Sequence, residues 1–338
     1  MLVKFSSLSF MKSLLTFFAL LIFTTTAQSQ QLANLKFNKN NKFKVVQFTD
    51  THVNVEASKN LEVFTTIKII LEIEKPDLVV LTGDIATDGN PKKTYQAFEK
   101  VFKEAKMPWI VTLGNHDSQA DLSRKEVAEL LQSLDYCLNN DRGETYGNSN
   151  FIFPVKSQEN TSEALVYIMD SNAYSTLKPQ VDGWGWFDQS QVNWYKEKSQ
   201  QYTKANNNEP LPAIAFFHIP LPEYYQAWSN KEVKAIGQRK EDECGPEINT
   251  GMFAAMLESK DIMGTFVGHD HNNDYIGVHH DVALAYGRVT KTKTYRKAPV
   301  EGARIIVLTE GERKFDSWIR EVNGKKVYPC TWPDSFAK

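Results

Sequence analysis

Histidine and acidic side chains recur directly after apolar runs in this chain. Five of its seven histidines lie in such positions, and aspartate or asparagine residues accompany them. Each apolar run is typical of a buried strand, so each polar group stands where a strand opens into a loop. Imidazole nitrogens and carboxylate oxygens are common metal ligands, and this pattern indicates a metal site assembled from several loops. The candidate donors are Asp50, His52, Asp84, Asn115, His218, His269 and His271.

The number of these donors predicts two metal ions rather than one. Three oxygen donors and four imidazoles are too many for a single tetrahedral zinc, which takes three or four protein ligands. Two ions about 3.5–4 Å apart that share one carboxylate would use all seven groups. The mixed donor set favours Fe, Zn or Mn over Ca or Mg. Such a pair activates water and neutralises charge on a phosphoryl oxygen, so the donors indicate hydrolysis of a phosphate ester.

His116 is the predicted catalytic group, because it stands between the candidate donor Asn115 and Asp117. An imidazole at that place is suited to protonate a leaving group or to stabilise the pentacoordinate phosphorus. A carboxylate would orient the ring, and Asp117 and Asp88 are both candidates for that role. We include Asp117 with His116 in the predicted catalytic pair.

Two further residues are predicted to bind substrate. Arg288 carries a guanidinium fork that matches the geometry of a phosphate group. Tyr224 follows His218 in the same loop. A structural role is the alternative for both residues. Asp170 and Tyr174 are also candidates for the wall of the cleft.

The elements that must position these residues are predicted to form an α/β fold. Strand, polar residue and helix recur three times up to residue 134, which is typical of sheets whose ligand sites lie at the carboxyl ends of strands. The expected strands are 43–48, 77–81 and 109–113, and the expected helices are 61–74, 91–105 and 121–134.

The regular alternation of strand and helix ends after residue 134. We expect antiparallel strands at 151–153 and 164–169, a capped helix that begins at Asp188, buried strands before His218 and His269, a loop at 224–228 and a short helix at 250–259. Four late runs are predicted to be antiparallel strands of a second sheet; they are 275–278, 282–286, 304–308 and 317–320.

The N-terminus has the pattern of a secretory signal. Lys12 precedes the apolar run Ser13–Phe23, and small residues follow as far as Ser29. The run is shorter than the ~20 residues that span a bilayer, so an uncleaved anchor is the weaker alternative. We predict a signal peptide at 1–28, a polar leader at 29–42 and a single domain at 43–338. The mature protein would be periplasmic or extracellular, without a stable membrane anchor.

Bulk composition excludes some partners and leaves others open. The chain has 338 residues, 41% hydrophobic and 24% charged, and a net charge of -2, which is ordinary for a globular protein and gives no reason to expect nucleic-acid binding. Its three cysteines, Cys137, Cys244 and Cys330, are odd in number, and the sequence does not select a pair.

Taken in order, the polar motifs resemble those of the calcineurin-like metallophosphoesterase family, which includes the purple acid phosphatases. Asp-x-His, Gly-Asp, Gly-Asn-His-Asp, His and Gly-His-x-His follow one another within residues 43–290. The runs 217–224, 268–275 and 286–288 are similar to a purple-acid-phosphatase-like branch that lacks the N-terminal domain. The resemblance implies a four-layer α/β/β/α sandwich with two mixed β-sheets.

The same resemblance implies how the donors are divided. It assigns one ion to Asp50, His52 and His271, and the other to Asn115, His218 and His269, with Asp84 as the bridge. His116 takes the role of proton donor or of transition-state stabiliser. Thr87 stands where purple enzymes carry the tyrosine that binds Fe(III), so a purple centre is not expected.

The implied function is that of an exported bimetallic phosphoesterase. Its substrate would be a small-molecule phosphate ester, with monoesters favoured, attacked by a metal-bound hydroxide. A phosphodiesterase that uses the same site is the alternative, and a non-catalytic metal-binding module is a further one. The intact set of donors, together with His116, argues against the module.

Overall fold

The described part of the chain begins after the predicted signal. The computed structural model of the protein describes residues 35–291 and 299–337. The predicted signal peptide, 1–28, and the first part of the predicted leader lie outside these residues. Within the described ranges, no helix combines the length and the apolar character needed to cross a membrane.

Twelve strands and six helices are described, together with a short 3-10 helix at Asp334–Phe336. The strands are β1 (Lys42–Phe48), β2 (Leu78–Thr82), β3 (Trp109–Thr112), β4 (Phe151–Lys156), β5 (Ser162–Ile168), β6 (Ala213–Phe216), β7 (Ile262–Val267), β8 (Ile276–His279), β9 (Val282–Tyr286), β10 (Gly302–Thr309), β11 (Phe315–Glu321) and β12 (Lys326–Trp332). The helices are α1 (Glu62–Glu74), α2 (Pro91–Glu104), α3 (Arg124–Ser133), α4 (Gln189–Ala205), α5 (Tyr224–Ser229) and α6 (Met252–Ser259).

Local sequence signals account for several helix boundaries. Pro91 occupies the first turn of α2, where its missing N–H is not needed, and the Asn90 side chain caps that turn. Ser123 and Glu126 form a capping box that begins α3. The predicted cap at Asp188 is present at the start of α4, again as a capping box.

The strands form two mixed six-stranded sheets, as the resemblance implies. The first sheet has the order β12-β11-β10-β1-β2-β3, and the second has the order β4-β5-β6-β7-β9-β8. Strands β1, β2 and β3 run parallel to one another, and so do β5, β6, β7 and β9. The parallel strands therefore lie in the middle of the second sheet and at one side of the first.

Three apolar clusters define four layers. One cluster fills the space between the sheets, with Val45, Leu78 and Phe216 among its members. A second joins the outer face of the first sheet to α1, α2 and α3, and a third joins the outer face of the second sheet to α4 and α6. The order of layers is helix, sheet, sheet, helix, which confirms the predicted α/β/β/α sandwich.

The late strands are shared between the sheets, which corrects the prediction that they form one second sheet. Strands β10 and β11 belong to the first sheet, where β10 pairs antiparallel with β1. Strands β8 and β9 lie in the second sheet, where β9 is parallel to β7. Pairing of this kind depends on partners far apart in the chain, so local alternation could not reveal it.

The polar leader ends earlier than predicted. Leu35 and Phe37 are buried in the core between the sheets. The Phe37 N–H donates to the Lys156 carbonyl at 2.9 Å, and the Lys156 N–H donates to the Leu35 carbonyl at 2.9 Å. Two apolar residues among polar ones were enough to anchor this segment along β4. The predicted loop at 224–228 is also corrected, because those residues lie within the short helix α5.

Candidate metal centre

The predicted donors converge on one edge of the molecule, at the carboxyl ends of parallel strands from both sheets. Asp50 and His52 follow β1, Asp84 follows β2 and Asn115 follows β3, whereas the donors after β6 and β7 come from the second sheet. Backbone hydrogen bonds tie these loops together. The Asp50 N–H donates to the Gly83 carbonyl at 3.1 Å, and the Gly268 N–H donates to the His218 carbonyl at 3.1 Å.

Six of the seven predicted donors fall into two groups that share one carboxylate. Potential ligand atoms within each group lie within 4.8 Å of one another. The first group is Asp50, His52, Asp84 and His271, and the second is Asp84, His218 and His269. Because the two groups share Asp84, the structure contains a candidate binuclear site.

Asp84 lies at the middle of the centre. Its Oδ2 atom is 3.3 Å from Nε2 of His218, 3.6 Å from Nε2 of His52 and 3.9 Å from Nε2 of His116. Its Oδ1 atom accepts a hydrogen bond of 2.8 Å from the His116 backbone N–H. One carboxylate oxygen thus faces imidazoles from three separate loops, which is the place of an atom shared by two ions.

In His218 and His52, a contact at Nδ1 orients the imidazole ring so that Nε2 points into the centre. Nδ1 of His218 lies 2.7 Å from the Thr82 carbonyl oxygen, so Nδ1 carries the proton. Nδ1 of His52 lies 2.7 Å from Oγ1 of Thr87. Such outer contacts fix the orientation of metal-binding histidines. Thr87, which replaces a tyrosine of the purple enzymes, is therefore placed to hold a donor rather than to act as one.

The residues at this centre fit a pair of metal ions. Three buried donor atoms have no hydrogen-bond partner among the described residues: Asn115 Oδ1, His218 Nε2 and His269 Nε2. Leaving a buried acceptor unpaired costs about 1–3 kcal/mol, so three together call for a ligand. Nε2 of His52 and Nε2 of His271 lie 3.2 Å apart, a spacing that suits two nitrogens bound to one ion.

The electrostatics of the centre also fit cations. Burial would raise the pKa of Asp84, but His218, His52 and His116 hold that pKa well below its ordinary value. Burial lowers the pKa values of His52 and His269 to about 3, so both rings are neutral at physiological pH. His218 differs from these two rings: burial would lower its pKa, but Asp84 and Asp50 raise it to about 9. Two buried carboxylates beside the neutral imidazoles of His52 and His269 form a donor set that cations would stabilise.

His116 lies at the centre, but glutamine rather than a carboxylate contacts its ring. Nδ1 of His116 is 2.5 Å from Oε1 of Gln119. Nε2 of Gln119 donates to the Tyr174 hydroxyl at 2.6 Å, and the Asn115 amide donates to the same hydroxyl at 3.3 Å. The sequence did not indicate Gln119, although its distance of three residues from His116 is compatible with one turn of chain.

The predicted role of Asp117 is corrected by its contacts. Its buried carboxylate accepts hydrogen bonds from the backbone N–H groups of Asp84, Ile85, Ala86 and Gly114, and from the Tyr95 hydroxyl, at 2.8–3.0 Å. The carboxylate therefore clamps the loop after β2 to the loop after β3. Asp88, the other candidate, forms an exposed ion pair with Lys59 at 3.5 Å. Neither residue orients the His116 ring in this structure.

The two predicted substrate-binding residues are buried and have partners within the protein. Arg288 is 1% exposed and pairs with Asp274 at 2.5 Å and with Glu321 at 3.4 Å. Tyr224 is fully buried, and its hydroxyl lies 2.8 Å from Oγ1 of Thr265. Tyr224 contacts β7 of the second sheet, whereas Arg288 links Asp274, before β8, to Glu321 at the end of β11 in the first sheet. The prediction for Arg288 failed because a guanidinium binds a carboxylate as well as a phosphate, and the partner of Tyr224 is distant in sequence.

Two aromatic side chains border the donors. The Tyr174 ring, 38% exposed, stacks on Trp184 with centroids 5.5 Å apart. The Trp184 ring meets His269 edge to face at 4.3 Å. The predicted position of Tyr174 in the cleft wall thus agrees with the structure. Asp170 instead forms a buried ion pair with Arg124, whose guanidinium also donates to the Leu113 and Gly114 carbonyls.

The backbone at several donors is left-handed. Asp50, His52, Asp84 and His269 have φ angles of 54°, 43°, 53° and 75°. Non-glycine residues rarely adopt this conformation, and such residues cluster at functional sites. Gly83, next to Asp84, has a φ of 83°, and a Cβ there would collide with the His218 ring. The tight turn between β2 and Asp84 therefore requires glycine.

The three cysteines are unpaired: Cys137 is half-buried, Cys244 is exposed and Cys330 is buried. None of them belongs to either donor group.

Comparisons with known proteins agree with this geometry. The family model described as calcineurin-like phosphoesterase matches residues 43–273. The protein named probable inactive purple acid phosphatase 29 from Arabidopsis thaliana is 30% identical over 85% of this chain and 82% of its own length. Phosphatase DCR2 from Saccharomyces cerevisiae is 31% identical over 69% of this chain and 45% of its own length.

A solved structure shares the fold. A dimetal phosphatase from Danio rerio superposes with a TM-score of 0.59 over 86% of this chain and 98% of that chain, at 12% sequence identity. At that identity the likeness supports the architecture alone.

Proposed function

Because the chain belongs to the calcineurin-like phosphoesterase family, we propose that it hydrolyses phosphate esters at the centre around Asp84. The observation that carries this proposal is the pair of donor groups that share Asp84. The Nε2 atoms of His218 and His269, which lack a hydrogen-bond partner among the described residues, give the second group a reason to bind an ion, and Oδ1 of Asn115 is a further buried oxygen without such a partner. Fe, Zn and Mn all suit this donor set.

A bound metal pair would supply Lewis acidity and a water of lowered pKa. The chain's own residues supply orientation and proton transfer. Gln119 holds Nδ1 of His116, so that Nε2 faces Asp84 across 3.9 Å. From there His116 can give a proton to the departing oxygen. Asp117 keeps the loops of Asp84 and Asn115 at a fixed separation.

The relative named as inactive makes a non-catalytic metal-binding module the second candidate. Two observations support catalysis: the sequence contains all seven predicted donors, and Nε2 of His116 lies 3.9 Å from Oδ2 of Asp84. A module that only bound metal would have no need of an imidazole positioned for proton transfer. We therefore favour catalysis.

The proposal also includes the class of ester that is hydrolysed and the compartment in which the protein acts. The substrate is a small phosphomonoester, which the resemblance to the purple-acid-phosphatase-like branch favours. The mature protein acts outside the cytoplasm, in the periplasm or the medium, as the apolar run Ser13–Phe23 after Lys12 indicates.

The decisive experiment measures phosphate-ester turnover by the purified mature chain. An aryl phosphate monoester and the matching diester are compared before chelation, after chelation, and after Mn, Zn or Fe is added back. We expect release that depends on metal, with the monoester preferred. A chain that binds two metals per molecule by mass spectrometry but releases product from neither ester would contradict catalysis and favour the module.

Export is tested separately, by expressing the full chain with a C-terminal tag and locating it after fractionation. Cleavage near Ser29 and recovery outside the cytoplasm are expected. A full-length product that remains in the cytoplasm would overturn this part of the proposal.

A further inference from the structure

The hydroxyl of Tyr174 is a hydrogen-bond acceptor that two side chains of the candidate metal centre share. Nε2 of Gln119 donates to this oxygen at 2.6 Å, and Nδ2 of Asn115 donates to it at 3.3 Å. A side-chain amide carries its donor and its acceptor on opposite arms, so a bond at the nitrogen decides where the oxygen points. The hydroxyl therefore sets the direction of Oε1 in Gln119 and of Oδ1 in Asn115.

Asn115 is held beside the shared carboxylate of the centre. The N–H of the next residue, His116, donates to Oδ1 of Asp84 at 2.8 Å. The preceding residue, Gly114, packs so closely against Asp84 that a Cβ there would collide with it. If the Asn115 amide turned over, its NH₂ group would take the place of Oδ1, and that group has no lone pair to offer a cation. The bond to Tyr174 is a contact that opposes this rotation.

The second bond of the hydroxyl leads to the predicted proton donor. Oε1 of Gln119 lies 2.5 Å from Nδ1 of His116, and Nε2 of the same ring lies 3.9 Å from Oδ2 of Asp84. An amide oxygen only accepts hydrogen bonds, so Gln119 holds the imidazole by its Nδ1–H. The hydroxyl of Tyr174, the glutamine amide and the imidazole thus form one chain of hydrogen bonds that ends beside the shared carboxylate.

A hairpin at residues 173–185 carries the tyrosine to this place. Tyr174 and Trp184 form an antiparallel bridge, and backbone hydrogen bonds of 3.0 and 3.2 Å on either side of the bridge close the hairpin. The two rings stack with centroids 5.5 Å apart, and the Trp184 ring meets His269 edge to face at 4.3 Å. The hairpin therefore contacts His269 through a ring and Asn115 through a hydroxyl. His269 belongs to the second donor group, and the family resemblance assigns Asn115 to the same ion.

We propose that Tyr174 is a positioning residue with two effects. Its hydroxyl holds Asn115 as a ligand of the second ion, and through Gln119 it holds His116 in the orientation for proton transfer. The second effect rests on the proposed function, whereas the first requires only that the centre binds metal. One hydroxyl then links the affinity for one ion to the orientation of the group that gives the proton.

The first experiment measures metal binding without any substrate. Tyr174→Phe keeps the ring that stacks on Trp184 and removes only the shared acceptor. Tyr202→Phe is the matched control, because Tyr202 lies near the end of α4, in the stretch that leads to the beginning of β6, whereas His218 follows the end of that strand. The metal-stripped mature chain of each form is titrated with Mn²⁺ by isothermal titration calorimetry.

We expect two binding steps in the wild type. In Tyr174→Phe the dissociation constant of one step should rise about 10-fold, the lower end of what outer contacts of metal ligands contribute, and the other should change by less than about 3-fold. Tyr202→Phe should change neither step by more than about 3-fold. Two unchanged constants in Tyr174→Phe, or equal losses at both steps, would overturn the assignment of the hydroxyl to one ion.

The second experiment tests the connection to His116. At saturating Mn²⁺, Tyr174→Phe should lose about 3- to 10-fold in kcat for an aryl phosphate, with KM unchanged, because one hydrogen bond of the chain is missing. The double variant with Gln119→Leu should lose no more than Gln119→Leu alone, since both changes break the same chain. Losses that multiply in the double variant would overturn the connection through Gln119.

Two readouts distinguish failure of this inference from failure of the proposed function. If the wild type binds two Mn²⁺ ions and hydrolyses neither ester, the proposed function fails, and the two dissociation constants still decide on Tyr174. If turnover is intact and Tyr174→Phe binds Mn²⁺ as the wild type does, only the inference fails. The stripped forms should melt within about 3 °C of one another, since the ring packing is kept. A much lower melting temperature in stripped Tyr174→Phe would show that the hydroxyl supports the fold rather than the centre.

Discussion

Asp117 illustrates how a single residue can be essential without taking part in chemistry. Its two oxygens accept from four backbone N–H groups and from Tyr95. In Asp117→Asn the amide nitrogen would face at least two of these donors. We expect a loss of about 2–4 kcal/mol in the free energy of unfolding and a fall in bound metal, because Asp84 is no longer held in place. Urea denaturation and metal analysis check this.

His116→Ala is the comparison for that variant. It should keep its metals and its stability and lose about 10²- to 10⁴-fold in kcat, the usual contribution of a proton-transfer group. If Asp117→Asn instead resembled His116→Ala, with metals and stability intact, the carboxylate would belong to the proton-transfer system, as the sequence first suggested.

Gln119 is expected to position His116. Gln119→Leu removes the acceptor at 2.5 Å from Nδ1, and a hydrogen bond of about 1 kcal/mol corresponds to a loss of about 3- to 10-fold in kcat. The loss should grow along a series of aryl phosphates as the leaving group becomes more basic, because proton donation matters more there. KM should hold. Gln119→Glu, which keeps an acceptor, should recover most of the rate. A uniform loss across the series would show that Gln119 acts in some other way.

At the scale of elements, α1 is tied to the first sheet by one buried carboxylate. Glu74 accepts hydrogen bonds from Arg320 at 2.6 Å and from Trp318 at 3.0 Å, and forms an ion pair with Lys44 at 3.2 Å. Burial would raise the pKa of Glu74, but these three partners hold it below its ordinary value. The folded state therefore gains stability from this group above its unfolded pKa, and loses it as the pH falls through the lower folded pKa.

We expect Glu74→Gln to lower the free energy of unfolding by about 1–3 kcal/mol at neutral pH. The difference from wild type should shrink as the pH falls, because the wild-type carboxylate is then protonated as well. Glu72→Gln, two residues earlier on the exposed side of α1, is the matched control and should change stability by less than about 0.5 kcal/mol. A difference that persisted at acid pH would show that the charge of Glu74 does not matter.

The elements were predictable from sequence to the extent that their signals are local. Helical spacing with a proline or a capping box predicted α2 and α4, and buried apolar runs predicted the strands that carry the donors. The sheet to which β10 belongs was not predictable, because it pairs with β1 across most of the chain. The role of Arg288 was mispredicted for a different reason: a guanidinium binds a carboxylate as well as a phosphate, and its partner is the carboxylate of Asp274. Gln119 belongs to no motif, and only the folded structure shows that it contacts His116.

At the scale of the whole molecule, the centre joins the two sheets. Asp50, His52, Asp84 and Asn115 extend from the first sheet, and His218, His269 and His271 extend from the second. Ions bound here would link the halves of the sandwich and stabilise only the folded state. Without them, the junction holds two buried carboxylates, Asp50 and Asp84, and the Nε2 atoms of His218 and His269 without a hydrogen-bond partner among the described residues.

Chelation should therefore lower the melting temperature of the loaded protein by about 5–10 °C, on the basis of about 3 kcal/mol at a metal concentration 100 times the Kd. His116→Ala should show the same drop. Asp84→Asn, which lacks the shared carboxylate, should show little change in melting temperature on chelation. Scanning calorimetry with parallel metal analysis gives the answer, and an unchanged melting temperature in fully stripped wild type would contradict a structural contribution of the ions.

The left-handed backbone at Asp50, His52, Asp84 and His269 also limits how this centre can evolve. Aspartate, asparagine, histidine and glycine adopt that conformation more readily than other residues, and the β-branched residues adopt it least. Replacing one of these donors by cysteine or glutamate would strain the loop in which it lies. Such a replacement is therefore a costly way to change which metal the centre prefers. The accessible route to a different metal preference passes through the outer contacts, above all Thr87. A directed-evolution library aimed at metal selectivity should therefore vary that position and leave the donors fixed.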